Sequence, residues 1–244
     1  MADTPTRTTP RRVQPPLVGR EREQALLRDQ LAAALAGEGG LVLMSGEAGI
    51  GKTALAEATA REAAERGALV LVGRCYDLSE TPPYGPWVEA IEPLGAEHSR
   101  AHLPSPLGEG APAASQAALF ARVRDALAAL AAQRPLLLLL DDLHWADPAS
   151  LDLLRALARS LGALPLLLLA TYRAEAVARD HPLYALLPAL VREAQPLRLD
   201  LRPLGADDVR ALVAARYPLP APEVTRLAAW LQPRAEGNPF YAGE

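Results

Sequence analysis

The sequence predicts an α/β fold in which a parallel five-stranded sheet carries helices on both faces and is followed by a small C-terminal helical subdomain. Three observations carry this. Unbroken aliphatic runs such as LLLLL at 136–140 and LPLLLLA at 164–170 have strand length without polar alternation, the pattern of strands buried on both faces. Several are separated by stretches with apolar positions at helical spacing. From Gly205 onward no strand pattern remains.

The elements follow in order. REREQALLRDQLAAALAG, 20–37, reads as a helix with Gly37 as its breaker. GGLVLMSG, 39–46, is a strand, KTALAEATAREAAERG, 52–67, a helix ending at Gly67, and ALVLVGRC, 68–75, a second strand. Together these make a βαβ unit. The segment 76–115 carries prolines at 82, 83, 86, 93, 104, 106 and 112 and cannot be one regular element; it is either a partner-binding surface or a covering loop. Helical spacing returns over 116–134 and Pro135 ends it. The strand LLLLLDD, 136–142, leads to the helix PASLDLLRALARSLG, 148–162, with Pro148 in its first turn and Gly162 beyond its end. PLLLLATYR, 165–173, is a fourth strand, followed by an irregular helical stretch. QPLRLDLRPL, 195–204, alternates Leu with charge and reads as a last, partly exposed strand. Two helices, ADDVRALVAARY and PEVTRLAAWLQPRAEG, fill the region after Gly205. The expected organisation is a disordered segment over 1–16, an α/β domain over 17–204 and a helical subdomain over 205–244.

Composition narrows the function. Half of the 244 residues are hydrophobic and 22% are charged, as in ordinary soluble globular proteins. A net charge of −4 with no basic stripe argues against direct nucleic-acid binding by this segment. The one cysteine, Cys75, has neither a disulfide partner nor metal-ligand spacing, so a buried, inert thiol and a cytoplasmic setting are expected. The Pro-, Thr- and Arg-rich start has no signal-peptide core, and the aliphatic runs fall far short of the ~20 residues that span a bilayer.

GEAGIGKT, 46–53, contains the chain's one lysine; every other basic residue among 25 Lys and Arg is arginine. The stretch fits G-x-x-x-x-G-K-[ST] between a strand and a helix, the setting that gives this pattern its meaning. Gly46, Gly49 and Gly51 let the backbone wrap an anion at a helix N-terminus. The candidate phosphate cradle is therefore Gly46, Glu47, Ala48, Gly49, Ile50, Gly51, Lys52, Thr53 and Ala54. Lys52 would reach the β- and γ-phosphates as a compact charge where a planar guanidinium would not fit, and the Thr53 hydroxyl would ligate Mg²⁺.

The strand ending in Asp141 and Asp142 supplies the acids. Asp141 is the second candidate Mg²⁺ ligand, direct or through water. Asp142 sits where a water-activating base is needed. His144 either senses the γ-phosphate or satisfies a core hydrogen bond, the plainer role; Trp145 is expected to pack, and Asp147 before Pro148 to cap a helix. Arg173 and Thr171 end a strand, and carboxyl ends of strands face the ligand crevice of open α/β sheets. Arg173 would then report the γ-phosphate, or else is solvated at the surface. Guanine readers use N-K-x-D; with one Asn, Asn238, and one Lys, far apart, that motif cannot exist here, so adenine is favoured.

LVGRERE at 17–23, GEAGIGKT, LLLLLDDLHWADPASLDLL, TYR at 171–173 and EGNPFYAGE at 236–244 together resemble the nucleotide-binding domain of bacterial STAND-type ATPases, within the AAA+ group. Such domains occur in large ATP-binding regulators of the LuxR type and in related cyclase or kinase fusions. The resemblance covers 17–244 and implies a P-loop NTPase of the ASCE/AAA+-like kind with ATP/ADP and Mg²⁺ as ligands. It implies that Val18, Gly19 and Arg20 line the adenine and ribose, that Arg173 is the sensor arginine, and that Pro239 is the lid proline near adenine. The residues also read locally, with Asn238 as N-cap and Pro239 at the first helical position.

One departure bears on rate. Motor-type members have glutamate as the second acid, whereas Asp142 is shorter, and no arginine finger is identifiable. Slow hydrolysis suits a switch whose ATP and ADP states differ in lid closure. The alternatives are a P-loop kinase or faster motor, and a scaffold whose nucleotide is structural. Because Glu244 falls about two turns into a helix that Pro239 begins, a fragment of a longer chain is expected. The resemblance would place a winged helix, a repeat-type sensor and a DNA-binding output after it, and it allows self-oligomerisation.

Overall fold

The computed structural model describes residues 17–77, 82–92, 94 and 113–243. The expectation for 1–16 and most of that for the Pro-rich segment lie outside these residues. The chain divides into two compact units, Arg20–Pro203 and a second comprising, among the described residues, Leu17, Val18 and Gly19 with the chain from Leu204 on.

The larger unit is built on five parallel strands, β1 (Gly40–Ser45), β2 (Leu69–Arg74), β3 (Leu136–Asp141), β4 (Leu166–Tyr172) and β5 (Leu197–Asp200), in the order β2-β3-β4-β1-β5. Their apolar character follows from two-residue alternation of side chains. Leu41, Leu43, Leu136, Leu138, Leu140, Leu166 and Leu168 join one core cluster, while Val42, Met44, Leu137, Leu139, Leu167 and Leu169 alternate with them and are also buried. Because both faces are covered, β3 and β4 read as leucine runs up to their carboxyl ends, where the buried Asp141 and Thr171 stand.

Among the described residues six helices cover the sheet: α1 (Glu21–Leu35), α2 (Lys52–Glu65), α3 (Gly85–Ile91), α4 (Gln116–Gln133), α5 (Pro148–Ala158) and α6 (Pro182–Ala194). Residues of α3, α4, α5 and α6 fill the first cluster, and α1 and α2 contact each other and β4. Side chains start three of them. Ser115 accepts from Ala118 N–H at 3.2 Å, Asp147 from Ser150 N–H at 2.9 Å, and His181 from Leu183 N–H at 3.0 Å.

Some ends differ from the periodicity. Ser160 donates its hydroxyl to the Leu157 carbonyl at 3.0 Å, and the helix expected to end just before Gly162 stops at Ala158, followed by a 3₁₀ turn at Leu161–Ala163. The last strand is shorter than 195–204, because the Arg202 carbonyl is taken by Arg20 and Pro203 has no N–H to donate. Within the Pro-rich segment lies α3, not expected from the periodicity, with Pro86 in its first turn and Trp87 as its anchor; the indole N–H donates to the Ser150 carbonyl at 3.2 Å.

The smaller unit holds α7 (Ala206–Arg216), α8 (Ala221–Ala235) and α9 (Pro239–Gly243), with Leu204, Val209, Val213, Val224 and Ala228 in its core and Val18 packed against them. Asn238 Oδ1 accepts from Phe240 N–H at 3.0 Å, the expected cap with Pro239 at the first helical position. Among the described residues no helix is long and apolar enough to cross a membrane.

Gly73 in β2 shows how tightly α3 lies on the sheet. A Cβ there would meet the Pro86 carbonyl oxygen at 1.8 Å, and a backbone atom cannot step aside. Gly73→Ala should therefore cost about 2 kcal/mol, read in a thermal melt as a Tm lower by roughly 4–8 °C. An unchanged Tm would contradict this packing.

Candidate functional site

Sheet order decides which residues meet. Because β4 lies between β3 and β1, the exit of β4 is flanked by the loop after β1 and the acids after β3. Stretches separated by more than a hundred residues in sequence thus converge at the carboxyl edge of the sheet.

The loop after β1 turns directly into α2. Gly46, Gly49 and Gly51 all have positive φ, and Gly51, at 102°, is the left-handed residue from which α2 departs. Ile50 is fully buried and anchors the loop. The loop is held from two sides. Arg20, 5% exposed, donates to the carbonyls of Ile50 at 3.1 Å and Arg202 at 2.8 Å. At the loop's start, Leu201 N–H donates to the Ser45 carbonyl at 2.9 Å, and the Ser45 hydroxyl bonds Asp200. Lys52 Nζ donates to the carbonyls of Gly46 at 2.8 Å and Glu47 at 2.7 Å. Burial holds its ammonium below the usual lysine range, while Asp142 and Glu175 pull it upward.

Asp141 is 4% exposed and shares its carboxylate among three strand exits. The Thr53 hydroxyl approaches Oδ2 at 3.0 Å and Oδ1 at 3.2 Å, and Thr171 donates to Oδ1 at 2.5 Å. The same Thr171 oxygen accepts from Asp142 N–H at 2.9 Å, so one hydroxyl fixes both acids. Asp142 has a left-handed backbone with φ 59°. Burial, and then the neighbouring Asp141 charge, push its carboxyl above the ordinary carboxylate range, against the pull of Arg173 and Lys52. The Thr53 hydroxyl and Asp141 carboxylate are hard oxygen donors, the chemistry Mg²⁺ prefers. Among the described residues no three His, Cys, Asp or Glu cluster as a metal cage.

Beyond the acids, His144 is buried, its Nδ1 accepting from Arg173 N–H at 3.4 Å and lying 3.7 Å from Asp142 Oδ1. It therefore links the ends of β3 and β4. His181 accepts from Leu183 N–H through Nδ1, which leaves Nε2 to donate to the His144 carbonyl at 2.9 Å. Trp145, expected to pack, is instead 36% exposed, its ring tilted beside His144 with centroids 5.1 Å apart. Cys75 is buried, and burial pushes its thiol well above the usual range, in keeping with an inert group.

Val18, Gly19 and Pro239 belong to the smaller unit. There Val18 packs on the helical core, Gly19 lies against the Asp208 side chain, and Pro239 opens α9. Glu175 and Asp200 were not singled out by sequence. Glu175 accepts from the Ala48 amide at 3.0 Å, and no spacing or motif marks a contact across 127 positions.

His144 gives this site a pH signature. Burial first, then the charges of Arg173 and Lys52, hold it down at about 4, below the free value of ~6.5. Between these values the unfolded chain binds more protons, so its contribution to stability is intact above pH ~6.5 and is lost as pH falls toward ~4. Urea titrations at pH 7.5 and 5 should show the wild type losing about 1–2 kcal/mol more than His144→Asn. Parallel losses in the two proteins would contradict the assignment.

Comparison with known proteins places the chain. A curated uncharacterised protein of Rhizobium meliloti (strain 1021) is 29% identical over 242 aligned positions, 83% of this chain and 22% of the relative, so the chain spans about a fifth of that protein's length. Among solved structures, the Aeropyrum pernix ORC2 protein, in ADPNP-ADP complexes, superposes with a TM-score of 0.64 at 18% identity, covering 93% of this chain and 60% of that one. Cdc6p from Pyrobaculum aerophilum gives 0.64 at 17%, over 96% and 61%. A STAND protein with a tetratricopeptide repeat sensor from Pyrococcus horikoshii gives 0.54 at 18%, over 91% and 28%. These likenesses establish the AAA+ P-loop fold. The model of the AAA ATPase domain matches residues 16–169, more than half of the chain, and the chain belongs to that family.

Proposed function

We propose that this chain is the ATP-binding, slowly hydrolysing switch module of a larger regulatory protein. The observation that carries the reading is the joined arrangement of Lys52, Thr53, Asp141, Asp142 and Thr171 at one strand edge. Lys52 and the loop amides bind the β- and γ-phosphates, and Thr53 and Asp141 hold Mg²⁺, which when bound neutralises charge on the phosphate oxygens. Asp142, with its carboxyl raised, accepts the proton of the attacking water as the water oxygen bonds to the γ-phosphorus and the bond to the β-phosphate oxygen breaks, leaving ADP and phosphate. Arg173 contacts the γ-phosphate from the exit of β4.

Val18, Gly19 and Pro239 would serve the adenine and ribose side. Arg20 joins that side of the site, and its guanidinium, committed to the carbonyls of Ile50 and Arg202, would act by holding the loop. Slow turnover is supported by the shortness of Asp142 and by the bond from its backbone N–H to Thr171, which fixes its main chain. A module within a longer chain is supported by the 22% share of the Rhizobium relative that it spans. Downstream sensor and output domains, self-association and a cytoplasmic setting belong to the same proposal. The net charge of −4 supports a segment that does not itself bind nucleic acid.

Calorimetric titration with Mg²⁺-ATP tests the site: the wild type should bind and Lys52→Ala should not. Normal binding by that variant would refute the assignment. Asp142→Asn should retain binding while steady-state phosphate release falls about a hundredfold or more. Wild-type turnover should lie well below the ~10 s⁻¹ typical of enzymes. Rapid release or label on an acceptor would favour a motor or kinase, and inert, tightly held ADP a scaffold.

A further inference from the structure

Glu175 stands two residues beyond Arg173 on the segment leaving β4, and its side chain is exposed. A surface carboxylate normally stays in water or finds a basic partner. Among the described residues Glu175 forms no ion pair; its anchor is the Ala48 N–H, 3.0 Å from Oε1. Ala48 is in the phosphate loop, whose amides and adjoining helix N-terminus favour bound anions. The Glu175 charge also bears on Lys52, where with Asp142 it favours the ammonium. The carboxylate thus occupies a loop amide, and its charge is felt at the loop lysine.

Resting on the nucleotide-binding reading above, we propose that Glu175 is an internal anion that competes with the nucleotide's phosphates for the phosphate loop. Two anions on one short loop repel, and each loses by sharing the same donors. Nucleotide binding therefore breaks the Glu175–Ala48 bond and displaces the segment that carries Arg173. The contact lowers affinity for ATP and couples loop occupancy to the sensor arginine.

Affinity for Mg²⁺-ATP, measured by calorimetry on wild type, Glu175→Ala, Glu175→Gln and Lys52→Ala, tests this. Glu175→Ala should bind about tenfold more tightly than wild type. Glu175→Gln, which keeps an acceptor for Ala48 N–H but loses the charge, should fall between the two. Equal or weaker affinity in Glu175→Ala, including unchanged affinity with slowed hydrolysis, would overturn the proposal. If wild type binds ATP, Lys52→Ala does not, and Glu175→Ala matches wild type, this inference alone fails. A wild type that binds no ATP removes the functional reading and the inference with it.

Discussion

One shared carboxylate organises the site. Asp141 ends β3, yet its oxygens are taken by a hydroxyl from the start of α2 and another from the end of β4. With β4 inserted between β3 and β1, those three elements must finish at the same level for the bonds to close. They do so because the leucine rungs of β3 and β4 pair in register, Leu136 with Leu166 through Leu140 with Ala170. Apolar packing therefore sets the length of the strands, and the length of the strands sets the position of the charge. A polar cluster in this setting is stable only when its members satisfy one another. Thr171, fully buried, does this by donating to one acid and accepting from the backbone of the next.

The sole lysine follows the same logic. Its ammonium is nearly buried and reaches two carbonyls of its own loop. Taking a charge out of water is costly without partners, and a loop six residues long has room only for a compact donor whose three protons can turn toward several acceptors. A guanidinium would need planar space, which the chain provides elsewhere: Arg20, equally buried, joins the Ile50 carbonyl of the loop to the Arg202 carbonyl beyond β5. Lysine and arginine thus divide the task between a compact point charge and a planar brace.

These features differ in how far local sequence reveals them. The phosphate loop, the two acids and the cap at Asp147 are readable because each depends on neighbours a few positions away. The strands of the sheet are readable for a related reason, since burial on both faces leaves an aliphatic signature that needs no partner's identity. The contact of Glu175 with Ala48 and the role of Thr171 are decided instead by strand order, which no periodicity encodes. Trp145 illustrates the opposite error. Size and hydrophobicity suggest a core residue, but the left-handed backbone at Asp142 and the 3₁₀ turn that follows carry His144 inward and leave the indole at the surface. The helix with Pro86 in its first turn was hidden because its neighbouring prolines read as punctuation, while its stability comes from Trp87 and a glycine in β2 that lets it approach.

The exit of β4 gathers the remaining polar residues into one arm. Thr171 is bonded to the acids, the Arg173 amide to His144, and Glu175, in the turn that follows β4, to the phosphate loop. These anchors lie within a few residues of one another, so a movement imposed at one is passed to the next along the chain. The anchors differ in strength. Thr171 is buried among satisfied partners, whereas Glu175 is exposed and held by one hydrogen bond, so the arm is fixed at its base and loosest at its tip. In the proposed switch this gradient matters more than the rate of hydrolysis. The tip can yield to a competing phosphate while the base keeps the acids in register, which lets occupancy of the loop alter the position of Arg173 without disturbing Asp141.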